Sequence, residues 1–379
     1  MTQTKVEAPF VENSRHFRNF IINGDMNIWQ RATGATTVTD GGYNTLDRWH
    51  NVFYGTDGAM TSEREALSVA DQATTGMYYC NLLKCTTADT SIATNSIVGF
   101  RQTIEAQFCQ PFLYGTSAAK TLTVSFYAKA NASKTYSLSL WKRDSTAYYW
   151  FKDISVTDSW QKFTYVITPT AGSTSLITSS GGAIANDNGE GLELTFVLVA
   201  GTNYDGTADT WQDSGSDAQR FYDGSIDNFL SSTDNTLRIT GVQLEIGDTA
   251  TDFEHLPFDI QLTRCLRYYY DLASTGIISA GAPTYVCNAS YYSASNMFGF
   301  LHFPTPMRTE PTLTTTNASN TFYFYRAGAG DGLDDLVLNT QGSKLGGMLQ
   351  NETDASGTAG QAGGLYLNSG KICNLSAEL

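Results

Sequence analysis

The chain has 379 residues and a formal net charge of −14. Binding to nucleic acid phosphates or to an anionic membrane surface needs clustered Lys and Arg, but the longest basic run is the pair Lys142 and Arg143, so we exclude both partners. No stretch approaches the ~18 consecutive apolar residues of a membrane span, and the N-terminal stretch lacks the apolar core of a signal peptide. We therefore expect no membrane insertion and synthesis in the cytosol of the translating cell.

The composition favours β-structure. Aromatic residues make up 12% of the chain, charged residues only 16%, and there are 34 Gly, a mix typical of short strands joined by polar turns. The length predicts two or three domains. The six cysteines are dispersed and form no C-x-x-C pair, so we expect buried free thiols rather than a disulfide framework.

Residues 1–17 are polar and show no periodicity. A segment without an apolar face stays extended unless it docks on a partner. We predict an extended anchoring arm here, with its apolar residues as the contacts: Val6, Pro9, Phe10 and Val11.

Residues 18–256 read as strands and turns. In "TLTVSFYAKA", Leu122, Val124, Phe126 and Ala128 share one face. The stretches "YSLSLWKR", "WQKFTYVITP" and "LELTFVLVAG" alternate in the same way. Such strands, separated by Gly, Asp, Asn and Ser turns, predict an all-β sandwich domain.

Residues 257–272 break this pattern. Apolar residues fall near helical spacing at Ile260, Leu262, Cys265 and Leu266, and Pro257 suits a helix start. We predict a short helical linker between two domains.

Strand patterns resume in residues 273–379. "NMFGFLHF" places Met297 and Leu301 on one face, and "TFYFYRAG" alternates phenylalanine with Tyr323 and Tyr325. We predict a second, smaller β-sandwich-like domain, with a flexible loop at 351–364.

The segment 203–228 is rich in aspartate. Calcium needs several oxygen ligands on a loop that wraps around it, and Asp205, Asp209 and Asp213 are the candidate ligands for a structural Ca²⁺. The spacing does not match an EF-hand, and a solvated acidic loop is the favoured alternative. We otherwise expect no cofactor.

Sugar recognition uses flat aromatic faces beside a few hydrogen-bonding groups, because pyranose C–H faces are apolar and hydroxyls are directional. The candidate carbohydrate-binding residues are Tyr148, Tyr149, Trp150, Tyr204 and Trp211. Packing into the core is the alternative for each. Trp29 and Trp49, framed by apolar residues, are interpreted as core.

The sequence carries no signature of a metalloprotease, serine hydrolase, P-loop or dinucleotide site, and its four histidines lie far apart. We therefore predict that the protein is not an enzyme. Glycan hydrolysis by paired carboxylates is the enzymatic alternative.

Several islands of the sequence resemble bacteriophage tail-fibre and virion-appendage proteins. They are "FRNFIINGDMNIWQRAT", "YNTLDRWH", "TLTVSFYAKA", "GVQLEIGDTATDFEHLPFDIQLTRCLRYYY", "FPTPMRTEPTLT" and the terminal "SAEL". Together they run from about residue 17 to residue 379. The set as a whole is specific.

The resemblance implies an N-terminal jelly roll like that of carbohydrate-binding modules, a helical joint and a C-terminal β domain. In such a jelly roll the first and last strands, here residues 19–33 and 237–255, lie side by side, which makes Asn23, Gly24, Asp25 and Trp29 architectural. Some relatives of this fold hold calcium between an early acidic residue and a late Asp pair. Asp25 could serve as the first, but the closing strand lacks the pair.

The resemblance also implies a homotrimer on a phage particle, attached to other virion structural proteins by the arm. We expect a virion protein that binds host surface polysaccharide. A head fibre or capsid decoration without a receptor is the first alternative, and a glycan depolymerase is the second.

Overall fold

The computed structural model describes residues 17–214, 219–272 and 283–379, which separate into two compact units. The first unit holds the described residues up to Asn27, with Ala35–Gly42 and His50–Leu256. The second holds Ile28–Gly34, Tyr43–Trp49 and Pro257–Leu379. The predicted anchoring residues Val6, Pro9, Phe10 and Val11 lie outside the described residues.

The described part of the first unit is built from strands, one short α-helix and several 3-10 turns. The strands are β1 (Thr36–Val38), β2 (His50–Tyr54), β3 (Ala59–Ala66), β4 (Tyr79–Thr87), β5 (Ile97–Glu105), β6 (Leu122–Ala130), β7 (Lys134–Lys142), β8 (Tyr148–Val156), β9 (Gln161–Ile167), β10 (Glu190–Ala200) and β11 (Thr236–Ile246). Helix α1 spans Val69–Thr75, and the 3-10 turns are Ala106–Phe112, Ala171–Ser173, Ser180–Gly182, Thr202–Tyr204 and Phe229–Ser231.

These strands form a jelly-roll β-sandwich. One antiparallel sheet has the order β1-β3-β4-β11-β6-β9, and the other has the order β2-β5-β10-β7-β8. From β4 onward the chain crosses repeatedly between the two sheets, which is the jelly-roll pattern. The prediction of an all-β sandwich is confirmed.

The core lies between the two sheets and follows the predicted alternation. Leu122, Val124, Phe126 and Ala128 on β6 are all fully buried. The Phe126 ring meets the Phe196 ring of β10 edge to face at 5.0 Å, which joins one sheet to the other.

Residues 19–33 are not the predicted first strand. Asn23 and Met26 have positive φ values, 59° and 58°, which a strand does not accommodate. The segment still runs beside the closing strand, as predicted: Phe20 N–H donates to the Leu244 carbonyl and Val242 N–H donates to the Gly24 carbonyl, both at 2.9 Å. It covers the part of β11 beyond Ile239, where pairing with β4 has ended.

The long C-terminal part of the second unit, Pro257–Leu379, begins with the predicted helix. Helix α2 spans Phe258–Leu266, with Pro257 at its N-cap position. The strands that follow are β12 (Tyr269–Asp271), β13 (Thr284–Tyr291), β14 (Met297–His302), β15 (Thr312–Thr315), β16 (Phe322–Arg326), β17 (Ala329–Leu333), β18 (Val337–Asn339), β19 (Gly346–Asn351), β20 (Ala362–Leu367) and β21 (Cys373–Ser376). None of the described helices has the length and apolar content of a membrane span.

The strands of the second unit form a small and a large sheet, both antiparallel. The small sheet has the order β12-β21-β15, and the large one has the order β17-β16-β20-β13-β14-β19-β18. The core packs on one face of the large sheet, where Met297, Phe322, Phe324 and Leu365 are fully buried. All six cysteines of the chain are buried and free, as predicted.

A buried charged cluster, here called the tail cluster, ties the end of the chain into the second unit. It consists of Arg31, Asp47, Arg48 and Glu378. The Glu378 carboxylate accepts hydrogen bonds from Arg31, at 3.0 Å, and from Arg48. Arg31 also lies 3.6 Å from Asp47, whose carboxylate accepts hydrogen bonds from the Gln30 backbone and side chain.

Aromatic rings and backbone contacts complete this cluster. The Arg31 and Arg48 guanidinium groups lie 3.6 Å and 3.5 Å from the ring centres of Tyr269 and Tyr268. Arg308 donates to the carbonyls of Ala377 and Glu378, each at 2.7 Å.

The tail cluster explains two features of the chain. Ile28–Gly34 and Tyr43–Trp49 fall inside the predicted domain 18–256, yet they belong to the second unit. They carry Arg31, Asp47 and Arg48, and the two arginines pair with Glu378 of that unit. The islands "QRAT", "LDRW", "CLRYYY", "PMR" and "SAEL", far apart in sequence, all contribute residues to this one region. These motif residues are therefore architectural.

Candidate functional site

The five aromatic residues predicted to bind sugar lie inside the first unit. Their exposed fractions are 7% for Tyr148, 3% for Tyr149, 2% for Trp150, 9% for Tyr204 and 0% for Trp211. They do not form an exposed platform: the segment after β10 covers Tyr149, whereas Trp150, the next residue of β8, points to the opposite face of the sheet. Tyr204 and Phe221 from that segment pack in one cluster with Tyr149 and Trp141.

The polar atoms of two of these rings are also engaged within the unit. The Trp211 indole N–H donates to the Thr168 carbonyl at 3.0 Å, and the Tyr204 hydroxyl donates to the Asn95 carbonyl at 3.1 Å. Core packing was the alternative role that the sequence left open for these rings, and their buried positions agree with it.

The three predicted calcium ligands are not brought together. Asp209 pairs with Lys152 at 2.6 Å, and Asp205 lies 3.9 Å from Arg220. Within residues 17–214, 219–272 and 283–379, no group of three or more Asp, Glu, His or Cys side chains is arranged to hold a metal, so Asp213 joins none either.

An exposed aromatic surface lies instead on the large sheet of the second unit, on the side opposite its core. We call it the aromatic face, and it consists of Tyr285, Phe298, Phe300, Tyr323, Tyr325 and Tyr366. Strand alternation creates it: Phe322 and Phe324 point into the core, so Tyr323 and Tyr325 point outward. The exposed fractions of Tyr285, Phe300 and Tyr325 are 50%, 55% and 50%. A monomeric protein rarely exposes so many large rings on one surface unless that surface binds something.

Strand register sets the arrangement of these rings. Tyr366 of β20, the strand between β16 and β13, pairs with Tyr323 on one side and with Tyr285 on the other. The Tyr366 ring stands nearly perpendicular to the Tyr285 and Tyr325 rings, at 75° and 85°, with centroid distances of 5.6 Å and 5.5 Å. One ring between two perpendicular neighbours forms a shallow slot.

Glycines give the rings room to lie along the sheet. A Cβ atom at Gly364 would lie 2.8 Å from the Tyr366 ring, and one at Gly330 would lie 2.0 Å from the Tyr323 ring. The Phe300 ring approaches Gly346 in the same way, at 3.2 Å. Because no side chain occupies these positions, the rings can lie close over the backbone there.

The aromatic face is electrically neutral. The outward positions of β14, β16 and β20 hold aromatic residues, Gly364, Ala362 and His302, but no Asp, Glu, Lys or Arg. Polar neighbours such as the exposed Asn288 and Asn339 are uncharged. Apolar rings beside amide groups suit an uncharged ligand that has both C–H faces and hydroxyls.

The sequence contained a signal for this surface. The stretches "NMFGFLHF" and "TFYFYRAG" place bulky apolar residues on both faces of one strand. A strand with one face in the core should be polar on the other, so a second aromatic face indicates a binding surface. Of the predicted sugar-binding residues, Tyr148, Tyr149 and Trp150 lie on β8, and Tyr204 and Trp211 lie in the acidic segment. All five rings are buried.

One carboxylate pair in the first unit resembles the pairs used in hydrolysis. Burial, together with the hydrogen bond and the charge of Asp223, raises the pKa of Asp153 to about 7. Hydrogen bonds from Ser225 and Asp153 lower the pKa of Asp223. The two groups share a hydrogen bond, whereas glycosidases hold their carboxylates about 5–5.5 Å or 6.5–9.5 Å apart.

Comparisons with known proteins give only distant similarities. No protein-family model matches the sequence, and a search of curated proteins finds no match. Among solved structures, a family 4 carbohydrate-binding module matches with a TM-score of 0.29 and 14% identity, over 59% of this chain and 98% of its own. The enzymatically active domain of bacteriophage CBA120 tailspike protein 4 matches with a TM-score of 0.29 and 13% identity, over 61% of this chain and 22% of its own.

A family 11 carbohydrate-binding module of a Clostridium thermocellum cellulosomal cellulase matches with a TM-score of 0.28 and 10% identity, over 57% of this chain and 96% of its own. Similarities at this level carry no argument about function or about a binding site.

Proposed function

We propose that this protein is a phage virion appendage protein that attaches the particle to neutral glycans on the host surface. The observation that carries the proposal is the aromatic face, with its half-exposed rings on a neutral sheet surface. A pyranose ring can lay its C–H face on Tyr366 while its hydroxyls reach amides and tyrosine hydroxyls at the edge. The resemblance of the sequence islands to virion-appendage proteins supports the location on a phage particle.

Glycan binding is tested first with the purified full-length chain on an array of neutral and acidic bacterial glycans. We expect saturable binding to a subset of neutral glycans. If the chain binds none of these glycans, the attachment role is refuted and the alternative, a head fibre or capsid decoration without a receptor, is favoured.

The virion location is tested by labelling particles with an antibody against the chain. We expect the antibody to label an external appendage. Because we propose that the arm attaches the protein to other virion proteins, particles that carry a variant without residues 2–16 should lose the label. Normal copy number after that deletion would refute the anchoring role.

We propose a binding rather than an enzymatic role. Asp153 and Asp223, the described pair that resembles a hydrolytic pair, share a hydrogen bond. Their carboxyl groups are therefore closer together than the two carboxyl groups of a glycosidase. Incubation of the protein with host polysaccharide should release no new reducing ends. Their release, and its loss in Asp153→Asn, would instead support a depolymerase.

A further inference from the structure

A cavity of about 220 Å³ opens on the first sheet of the first unit, on the side away from the core. Its base is formed by Ser125 and Tyr127 of β6, which alternate with the buried Val124 and Phe126. No sequence-based prediction and no part of the proposed function uses this cavity.

The cavity exists because β11 is interrupted there. The register of β11 against β6 jumps between Thr240 and Gln243, which pair with Tyr127 and Ser125. Gly241 in this bulge has a φ of +63°, a left-handed conformation that favours glycine. The bulge leaves a gap beside β6 instead of a continuous ladder.

Two further segments wall the gap. The C-terminal end of α1 contributes Thr75 and Gly76, and the segment after β11 contributes Phe253 and His255. Phe253 packs against the buried cluster of Leu67, Met77 and Cys80, so its ring is held in place. The His255 ring meets it edge to face at 5.0 Å.

Charged side chains of both signs line the same cavity. Lys162 and Asp252 are exposed, and neither side chain forms an ion pair with the described part of the chain. The cavity thus combines one ammonium donor, one carboxylate acceptor, an imidazole and two aromatic rings, those of Tyr127 and Phe253.

We propose that this cavity binds a single pyranose ring and is a second carbohydrate site, separate from the aromatic face. An apolar cavity of about 150 Å³ accommodates benzene, so about 220 Å³ accommodates one six-membered ring that carries hydroxyls. The Asp252 carboxylate accepts hydrogen bonds from adjacent hydroxyls, and Lys162 donates to ring substituents. The Phe253 ring contacts a C–H face.

To test this, the full-length chain is titrated with glucose, galactose, mannose and glucuronic acid, and binding is measured by calorimetry and NMR. We expect saturable binding of at least one of them with a Kd of about 1 mM, the range of small ligands held by few contacts. Asp252→Ala and Lys162→Ala should each weaken binding about tenfold or more, whereas Lys84→Ala, an exposed lysine of β4, should leave it unchanged.

The result is distinguishable from that at the aromatic face. The double variant Tyr325→Ala/Tyr366→Ala should still bind the monosaccharide with unchanged affinity. The inference is overturned if none of the four sugars binds, if both cavity variants bind as tightly as the parent chain, or if the aromatic-face variant alone abolishes binding. The glycan array tests the proposed function independently of this cavity.

Discussion

The carboxylate of Glu378 lies between the guanidinium groups of Arg31 and Arg48 and is 5% exposed. Removing one partner from a buried ion pair leaves the other charge uncompensated, which costs about 3–5 kcal/mol. We therefore expect Glu378→Ala to lower the free energy of unfolding by about this amount in denaturant titrations. Glu310→Ala, an exposed control in the same unit, should change it by less than ~0.5 kcal/mol. Equal effects of the two variants would contradict the role of the tail cluster.

Asp47 gives the tail cluster a pH dependence. Burial raises the pKa of Asp47 to about 6, with Arg31 acting in the opposite direction. The folded protein thus holds this proton more tightly than the unfolded chain, whose aspartates titrate near ~3.9. Its contribution to stability is present at low pH and is lost as pH rises from about 4 to about 6.

Asp47→Asn removes this titration. Compared with the parent chain, the variant should gain relative stability as pH rises through that window, because each pKa unit corresponds to about 1.4 kcal/mol. Unfolding measured at several pH values between 4 and 7, flanking the pKa of about 6, provides the check. A constant difference between the two proteins at all these pH values would contradict the raised pKa.

At the scale of elements, the opening segment closes the jelly roll through a close backbone approach. A Cβ atom at Gly24 would lie 2.0 Å from the Val242 carbonyl oxygen, so alanine there must push the segment away from β11. We expect Gly24→Ala to cost about 1–3 kcal/mol and to speed amide exchange at Phe20 and Val242. The control Gly34→Ala meets nothing within 4 Å. Unchanged exchange in Gly24→Ala would refute this closure.

Alternation of side chains predicted the elements well where one face is buried. The buried row of β6 and the helix after Pro257 appear where the sequence placed them. The family resemblance correctly placed the opening segment beside β11, but it also implied a strand there, because it cannot reveal the left-handed backbone at Asn23 and Met26.

The binding surface was harder to predict than the fold. Tyr149, Trp150 and Trp211 are aromatic residues near charged ones, which is the composition of many sugar sites, yet all three are buried. Tyr149 is covered by a later segment that carries Tyr204 and Phe221. Long-range folding of that kind leaves no local pattern in the sequence. The aromatic face has a local signal in β14 and β16, but its slot depends on how three strands align around Tyr366.

At the scale of the whole molecule, attachment by weak sugar contacts requires several copies. We propose a homotrimer, because linking binding sites can raise avidity by about 10²–10⁴ without new contacts. Light scattering of the purified protein should give three times the 41.3 kDa of one chain. A mass of 41.3 kDa at the concentrations used in the glycan array would contradict the trimer.

The central claim is that the aromatic face binds glycan, and the most direct measurement is the affinity of the full-length chain for a glycan found on the array. We predict that Tyr325→Ala/Tyr366→Ala weakens binding at least about tenfold, because it removes the floor and one wall of the slot. The control Tyr54→Ala/Tyr78→Ala, which removes rings of 61% and 72% exposure from the first unit, should bind as the parent chain does. Equal affinity of the parent chain and the Tyr325/Tyr366 variant would contradict the claim.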